Sequence, residues 1–256
     1  EFGFPVKMTM GIAQKLYENG KITYMRTDST FISNGFKKSL KRNIDSNYGE
    51  NYYLNRVTKK VKGAQEAHEC IRPTNLDAEL SNNYKNCDKK LYDLIKRRTV
   101  ISHMQPALYD VMTNDLTNNL LESFGFFRTK IKSLKFDGYL KYLDKDVDII
   151  DLKIYQNIDI YKIKDAICKY LESNPPQHYN ESTIVKKLEQ SGIGRPSTYA
   201  NLIETLYTRN YTINTDIESI EKTQNSICLI KDDIIDKEET IKIPKQKKRI
   251  IVTDLG

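Results

Sequence analysis

Ile22-Thr-Tyr-Met-Arg-Thr-Asp-Ser29 is the stretch around which the rest of the chain is organised. Tyr24 and Arg26 are two positions apart, so in an extended segment their side chains project to the same side. A tyrosine hydroxyl is a poor nucleophile at neutral pH because its ordinary pKa is about 10. A fixed guanidinium nearby favours the phenolate and can also hold a phosphate through paired N–H donors. The structural alternative is a half-buried strand tyrosine beside a solvated arginine, because tyrosine is common in strands.

Helical patterns lie on both sides of this octet. Apolar residues spaced four apart predict a helix over residues 8–19 that ends at Gly20. Ser33 is a good N-cap for a second helix that ends before Gly49, and a third is predicted over residues 88–104. The second helix also carries basic residues, which either contact a polyanion or form a solvated face. These residues are Lys37, Lys38, Lys41 and Arg42.

The pattern of residue types changes after Pro106. Short segments rich in Tyr, Phe, Ile and Val are separated by Asn, Asp and Gly, which is the pattern of strands and turns. We therefore expect an antiparallel β module here. The predicted strands are residues 107–116, 124–134, 135–143 and 152–162.

A pair of helices is predicted over residues 180–210, after a Pro-rich boundary at 174–177. Asn180 caps the first helix, and Pro196 begins the second after a glycine-containing turn, as in a helix-turn-helix unit. The start of the second helix is suited to receive a phosphate through free N–H groups and hydroxyls. It carries Arg195, Ser197 and Thr198. The alternative is an ordinary turn with a capping serine.

Composition agrees with a polyanionic partner. The net charge is +7, and residues 1–72 hold 13 Lys and Arg against 7 Asp and Glu. The four cysteines are far apart and form no Cys-x-x-Cys pair, which argues against a zinc site and indicates a reduced, intracellular compartment. No apolar run approaches the roughly 20 residues needed to span a bilayer, so no membrane partner is expected.

The octet resembles the active-site segment of type IA DNA topoisomerases. Gln65-Glu-Ala-His-Glu-Cys-Ile-Arg-Pro73 and Gly192-Ile-Gly-Arg-Pro-Ser-Thr-Tyr-Ala200 are similar to two further signature segments of that family, in the same order. Met25 and the Arg-Pro-Ser-Thr run at 195–198 resemble the bacterial topoisomerase I and reverse gyrase branch. The resemblance covers most of the chain apart from residues 211–249.

The resemblance implies transient cleavage of one DNA strand, with Tyr24 joined to the 5′ phosphate, then strand passage and religation without a nucleotide. Arg26 would be catalytic, stabilising charge on the phosphate and the phenolate. His68 would contact the scissile-region phosphate or tune the tyrosine. DNA-binding residues would be His68, Arg72, Arg195, Ser197, Thr198, Thr27 and Asp28.

A mixed α and β multidomain fold follows from the resemblance and the patterns together. We expect a helical domain with the tyrosine over residues 1–106 and a β arch module over 107–173. A helical DNA-binding domain with an inserted loop at 211–249 would occupy residues 174–256.

The family's acidic Mg²⁺-binding domain lies before the tyrosine domain, and only 23 residues precede Tyr24 here. We therefore expect a fragment that binds no metal itself, holds single-stranded DNA, and relaxes supercoils poorly or not at all. The alternative is a non-catalytic DNA-binding protein that uses the 180–210 helix pair, and an RNA-acting relative stays open.

Overall fold

The computed structural model describes most of the chain. The described residues are 1–56, 68–145, 147, 149–156, 158, 160, 162, 165–169, 173, 176–230 and 233–256. Parts of several sequence predictions lie outside them. These parts are residues 65–67 of the second signature segment, some positions of 152–162 and of the β arch module at 107–173, residues 174 and 175 of the predicted boundary, and residues 231 and 232 of the predicted loop at 211–249.

Within the described residues the chain forms both helices and antiparallel sheets, which confirms the predicted mixed α and β fold class. The helices are α1 (Val6–Glu18), α2 (Asn34–Tyr48), α3 (Asn86–Ile101), α4 (Glu181–Gln190) and α5 (Tyr199–Thr208). The strands are β1 (Leu108–Leu116), β2 (Phe127–Phe136), β3 (Asp165–Lys169), β4 (Thr212–Ile217), β5 (Ile220–Ile230), β6 (Asp233–Ile243) and β7 (Gln246–Val252). Two compact units divide these elements, and we call them the tyrosine unit (12–161) and the C-terminal unit (1–11 and 162–256).

The tyrosine unit is built on the apolar stripe of α2. Phe36, Leu40 and Ile44 recur every four residues, so one face of the helix is apolar and is fully or almost fully buried. This face packs in one cluster with Val100 and Met104, at and just beyond the end of α3. The predicted boundaries of the second helix are confirmed, because Ser33 is the N-cap and Gly49 the C-cap of α2.

The strands β1 and β2 of the tyrosine unit pair as an antiparallel hairpin. The predicted strand at 135–143 is wrong beyond Phe136, because the chain turns at Gly138, whose φ is +50°. The predicted strand at 152–162 is also wrong in its described part. Residues 152–155 form a 3₁₀ turn, in which the Asp151 carboxylate accepts the N–H of Lys153 (3.0 Å) and competes with strand pairing.

The C-terminal unit contains two small sheets beside the helix pair α4–α5. In one, β5 lies between β3 and β6; in the other, β4 pairs with β7, and all pairings are antiparallel. Residues 211–249, for which we expected an inserted loop, are thus mostly strands. Their charged composition concealed an alternation in which Gln224, Ser226 and Cys228 of β5 turn away from solvent.

Candidate active site

The end of α1 sets the direction in which the backbone enters the Tyr24 segment. Gly20 has φ +64°, the left-handed conformation of a helix C-cap, and its N–H donates to the carbonyl of Tyr17 (2.8 Å). The N–H of Lys21 donates back to the carbonyl of Leu16 (2.8 Å). These two bonds form a Schellman motif, which reverses the chain at a fixed angle. The helix end predicted at Gly20 is confirmed.

A single antiparallel bridge then joins the two signature segments of this unit. Ile22 pairs with Pro73, and Thr23 adds side-chain bonds to the backbone bonds of the bridge. The Thr23 N–H donates to the carbonyl of Arg72 (2.9 Å), and its hydroxyl donates to the carbonyl of Cys70 (2.6 Å). The same hydroxyl accepts the N–H of Arg72 (2.9 Å). The backbone directly before Tyr24 is therefore hydrogen-bonded to the second signature segment.

The ring of Tyr24 contacts two other rings. The ring centroid of Tyr17 lies 5.3 Å away in an edge-on arrangement of 66°. The imidazole of His68 lies 5.3 Å away, tilted by 35°. Such aromatic contacts restrict the side-chain rotamer of Tyr24. The Tyr24 hydroxyl makes no hydrogen bond to another described residue.

Exposure alternates along the residues after Tyr24. Met25 is buried (4% exposed), whereas Tyr24 is half-buried and Arg26 is exposed. Arg26 forms no hydrogen bond or ion pair with another described residue. Thr27 accepts the N–H of Ser29 through its hydroxyl (3.0 Å), which ties the turn after Arg26 together. The guanidinium of Arg26 is thus available to an anion in solution.

Arg72, the other arginine of the two segments, is directed inward. Its side chain is only 11% exposed, and its guanidinium carbon lies 3.9 Å from the centre of the Phe36 ring. One terminal nitrogen forms an ion pair with Glu69, and the other donates to the carbonyl of Pro73 (2.9 Å). The structure therefore places Arg72 between the His68 segment and α2.

Glu69 completes this inward network at the start of α2. Its Oε1 accepts the N–H of Ser33 (2.7 Å), where a helix N-terminus favours negative charge. Burial alone raises the pKa of the Glu69 carboxyl, but the hydrogen bonds from Ser33 and the charge of Arg72 outweigh it and lower the pKa overall. Glu69 therefore carries a stable negative charge at neutral pH.

Cys70 does not compete with Tyr24 as a nucleophile. Burial raises the pKa of its thiol to about 11, which keeps it in the unreactive thiol form. All four cysteines of the chain are free. The tyrosine hydroxyl is thus the better candidate nucleophile.

The basic residues of α2 are partly committed to neighbours. Lys41 forms an ion pair with Asp45, and Lys37 donates to the carbonyl of Arg56 (3.3 Å). Lys38 is exposed and has no partner among the described residues. Among the described contacts of these four residues, Lys41 alone meets an acidic partner, so this face keeps most of its positive charge.

The third signature segment lies in the C-terminal unit and leads into α5, which begins at Tyr199, three residues after the predicted start at Pro196. The carbonyl of Arg195 accepts the N–H groups of Thr198 (2.8 Å) and Tyr199 (3.2 Å), so Pro196 lies in the turn before the helix, where its missing N–H removes no hydrogen bond of α5. The Thr198 hydroxyl accepts the Arg195 N–H (2.9 Å) and also bonds the Arg195 carbonyl (3.1 Å). Ser197 is exposed, and its hydroxyl bonds no other described residue. Ser197, rather than Thr198, offers the free hydroxyl at this turn.

The turn before α5 is shaped by two glycines with positive φ. Gly192 (φ +69°) caps α4 in a second Schellman motif, and Asn180 caps the other end of α4 by accepting the N–H of Thr183 (2.9 Å), as predicted. A Cβ on Gly194 (φ +78°) would lie 3.1 Å from the side chain of Leu202, so the turn also packs closely against α5. These features hold Arg195 at a fixed start of the helix.

Two kinds of site are not found in the part of the chain that the structure describes. No three His, Cys, Asp or Glu side chains come together as a metal site there. No described helix combines the length and the apolar character that a membrane crossing requires.

Comparison with known proteins identifies the family. A family model described as DNA topoisomerase matches residues 1–250. The chain is 36% identical to a protein of Acanthamoeba polyphaga mimivirus named DNA topoisomerase 1 type prokaryotic, over the whole chain and 33% of that protein. It is 40% identical to DNA topoisomerase 1 of Campylobacter jejuni, over 82% of the chain and 31% of that protein.

A solved structure leads to the same family. The chain matches full-length topoisomerase I from Thermotoga maritima with a TM-score of 0.64 and 31% identity, over 84% of the chain and 36% of that protein. The chain therefore belongs to the type IA DNA topoisomerase family, which confirms the resemblance of its three signature segments. It spans about a third of the length of these relatives.

Sequence reasoning missed two residues beside the proposed nucleophile. Tyr17 was one of 17 tyrosines with nothing to single it out, although its place in the last turn before Gly20 puts it next to the segment that follows. Thr23 lies within the octet but carries no charge, so a search for reactive groups passed over it.

Proposed function

We propose that this chain carries the nucleophile and part of the DNA-gripping surface of a type IA DNA topoisomerase. The Tyr24 oxygen attacks a backbone phosphorus, the bond to the 3′ oxygen breaks, and the departing 3′ oxygen takes up a proton. The product is a 5′-phosphotyrosine link. Religation is the reverse step, so the phosphodiester bond energy is kept and no nucleotide is required.

The observation that carries this proposal is the state of Tyr24 itself. Its ring is held by contacts with Tyr17 and His68, yet its hydroxyl has no partner among the described residues. The exposed Arg26 stands two residues away, equally without a described partner. The Tyr24 hydroxyl is therefore left to solvent or to a bound strand, which the attacking group of this reaction requires.

We assign the neighbouring groups by their exposure. Arg26 stabilises charge on the phosphate and on the phenolate, an electrostatic effect that can be worth several kcal/mol. His68 contacts the phosphate beside the break, while Thr27 and Asp28 shape the approach of the strand. Arg72 supports DNA binding indirectly, by holding the segment that carries His68.

The start of α5 supplies a second DNA contact in this proposal. The guanidinium of Arg195 and the hydroxyl of Ser197 are exposed and bind a backbone phosphate, while Thr198 keeps the turn in shape. Contacts of this kind position a strand without reading its sequence. They suit an enzyme that must hold many different sequences.

We propose that this chain takes part in the relaxation of supercoiled DNA, in which one strand is cleaved, another is passed and the first is religated. We also propose that it prefers single-stranded DNA, that it acts in the DNA-containing compartment of the cell, and that by itself it relaxes supercoils poorly or not at all. Mg²⁺ use is implied by the family, but no three potential ligands gather among the described residues, so we route no step of this mechanism through a metal.

Covalent trapping tests the proposal. The chain is incubated with single-stranded DNA labelled at either end, with and without Mg²⁺, and then denatured. We expect labelled protein on the 5′ side of the break, lost in Tyr24→Phe but kept in Tyr17→Phe, because Tyr17 is an adjacent tyrosine of similar surroundings. An adduct that survives in Tyr24→Phe, or that is lost equally in both variants, would refute the assignment of the nucleophile.

Competition between DNA forms tests the partner. We expect single-stranded DNA to displace bound duplex at lower concentration than duplex displaces single strands, and Arg195→Ala to reduce the salt dependence of binding by about one phosphate contact. Tight duplex preference without any adduct would instead support a DNA-binding protein that uses the helix pair at 180–210.

A further inference from the structure

We infer that Thr23 is a positioning residue that holds Tyr24 in register with His68. This inference rests on the proposed function, because it assigns Thr23 to the same reaction. The Thr23 hydroxyl is already bonded to Cys70 and Arg72, so its contribution acts through the backbone that it holds.

All the polar groups of Thr23 that can face the neighbouring segment are engaged with it. Its N–H and its hydroxyl make three short contacts with the 70–72 segment, at 2.9, 2.6 and 2.9 Å. The hydroxyl both donates, to the carbonyl of Cys70, and accepts, from the N–H of Arg72. A hydroxyl that both donates and accepts a hydrogen bond fixes the distance and the register between two segments.

The bridge that these bonds reinforce is short. Ile22 and Pro73 form an isolated pair outside any named strand, and the backbone bonds of this bridge come from the residues that flank the pair. Thr74 adds a bond on the far side, from its N–H to the carbonyl of Lys21 (3.0 Å). On the side that faces Tyr24, the Thr23 bonds supply the remaining connection.

The Thr23 bonds also determine how the rings of Tyr24 and His68, which lie on the two bonded segments, face each other. Tyr24 directly follows Thr23, and His68 lies two residues before Cys70, so the Thr23 bonds set the register in which the Tyr24 and His68 rings meet at 5.3 Å. A misplacement of about 1 Å at a reacting group can cost on the order of a hundredfold in rate. Removing the hydroxyl should therefore affect the reaction more than it affects DNA binding.

The test compares Thr23→Val, which keeps the shape and loses the hydroxyl, with Thr23→Ser, which keeps the hydroxyl. Thr74→Val is the matched control, because its hydroxyl donates to the carbonyl of Gly20 (2.7 Å) on the opposite side of the same bridge. The first readout is the NMR signals of the His68 ring protons, which sense the Tyr24 ring. The chain has three histidines, so these signals are assigned with a His68→Gln variant.

We expect Thr23→Val to shift the His68 signals and to slow adduct formation at saturating DNA by about tenfold or more, with the Kd for DNA changed less than twofold. Thr23→Ser should restore both values, and Thr74→Val should leave both unchanged. Unchanged His68 signals in Thr23→Val, equal shifts in Thr74→Val, or no recovery in Thr23→Ser would each overturn the inference.

A measurement on the unaltered protein guards against a variant that does not fold. The Arg72 N–H donates to the Thr23 hydroxyl, so this amide must exchange slowly with solvent; rapid exchange would overturn the inference. If the unaltered chain forms no adduct, the proposed function fails in this chain, whereas the His68 signals and the Arg72 exchange still decide whether Thr23 holds the register.

Discussion

Glu69→Gln should destabilise the tyrosine unit by roughly 2–3 kcal/mol at neutral pH. The carboxylate of Glu69 bonds both the Ser33 N–H at the start of α2 and the Arg72 guanidinium that lies over Phe36. Hydrogen bonds to charged groups contribute about 1.5–3 kcal/mol, and breaking a fully buried ion pair costs about 3–5 kcal/mol. Glu69 is 24% exposed, which reduces the second figure toward the first.

Urea unfolding followed by circular dichroism measures this loss. With a slope of about 2 kcal/mol per molar urea, the midpoint should fall by about 1 M. Asp110→Asn is the matched control, because the pair between Asp110 and Lys135 is exposed on both sides (58% and 64%) and should contribute less than about 1 kcal/mol. Equal midpoints for Glu69→Gln and Asp110→Asn would refute the reasoning.

The pH dependence gives the same prediction an independent check. The pKa of Glu69 is lowered from its ordinary value of about 4.5, so its stabilising effect is present above that value and is lost as the pH falls through the folded-state pKa. The free energies of unfolding of the unaltered protein and of Glu69→Gln should converge in acid. A gap that stays constant into strong acid would mean that the charge of Glu69 is not the source.

Gly20→Ala should cost about 1–2 kcal/mol, because φ is +64° there although the space around the site is open. Gly11→Ala within α1 should instead stabilise the protein by about 0.5–1 kcal/mol. Shifts of the melting temperature in the same direction for both variants would contradict this. Asp88→Asn should cost about 2 kcal/mol near neutral pH, because its carboxylate is buried and paired with a lysine of α1. Hydrogen bonds lower the pKa of Asp88 despite burial, so this loss should disappear in acid. A loss that persists in acid would exclude the charge as its cause. Arg26→Gln should change the free energy of unfolding by no more than about 0.5 kcal/mol while it reduces covalent trapping, and Arg72→Gln should lower that free energy by about 2–4 kcal/mol. A larger loss in Arg26→Gln than in Arg72→Gln would show that their exposures are misassigned.

Helix ends were the most predictable features because their signals are local. Gly20, Ser33, Gly49 and Asn180 each occupy the capping position that the sequence predicts. A cap depends on its own residue and the four or so residues beside it, so neighbouring sequence contains nearly all the information.

Strands in the middle and end of the chain were less predictable. Gly138 and Asp151 interrupt apolar segments that look like strands, and β5 and β6 carry so many charges that their alternation was read as a loop. Strand formation depends on a distant partner, which composition does not reveal. β3 shows this most clearly, because its partner β5 begins about 50 residues later.

Arg26 and Arg72, the arginines of the two signature segments in the tyrosine unit, show where sequence reasoning about a site ends. Arg26 was predicted to be catalytic and Arg72 to bind DNA, since each stands in a segment typical of the family. What the segments do not show is the surroundings of Arg72: the Phe36 ring that it covers and the Glu69 that it pairs with. Phe36 lies on a different element, some 36 residues away in sequence, so the segment that contains Arg72 does not reveal that its side chain is directed inward.

Thr23 illustrates the complementary point. A search for chemistry ranks residues by charge and nucleophilicity, and a threonine beside a tyrosine ranks low. Its importance appears only when the bridge is seen to be one residue pair long, with the Arg72 N–H bonded to the Thr23 hydroxyl instead of to a backbone carbonyl. Where backbone pairing is this sparse, a side-chain hydroxyl replaces the ladder bond that a longer strand would have supplied, and the geometry of the nucleophile then depends on an uncharged neighbour.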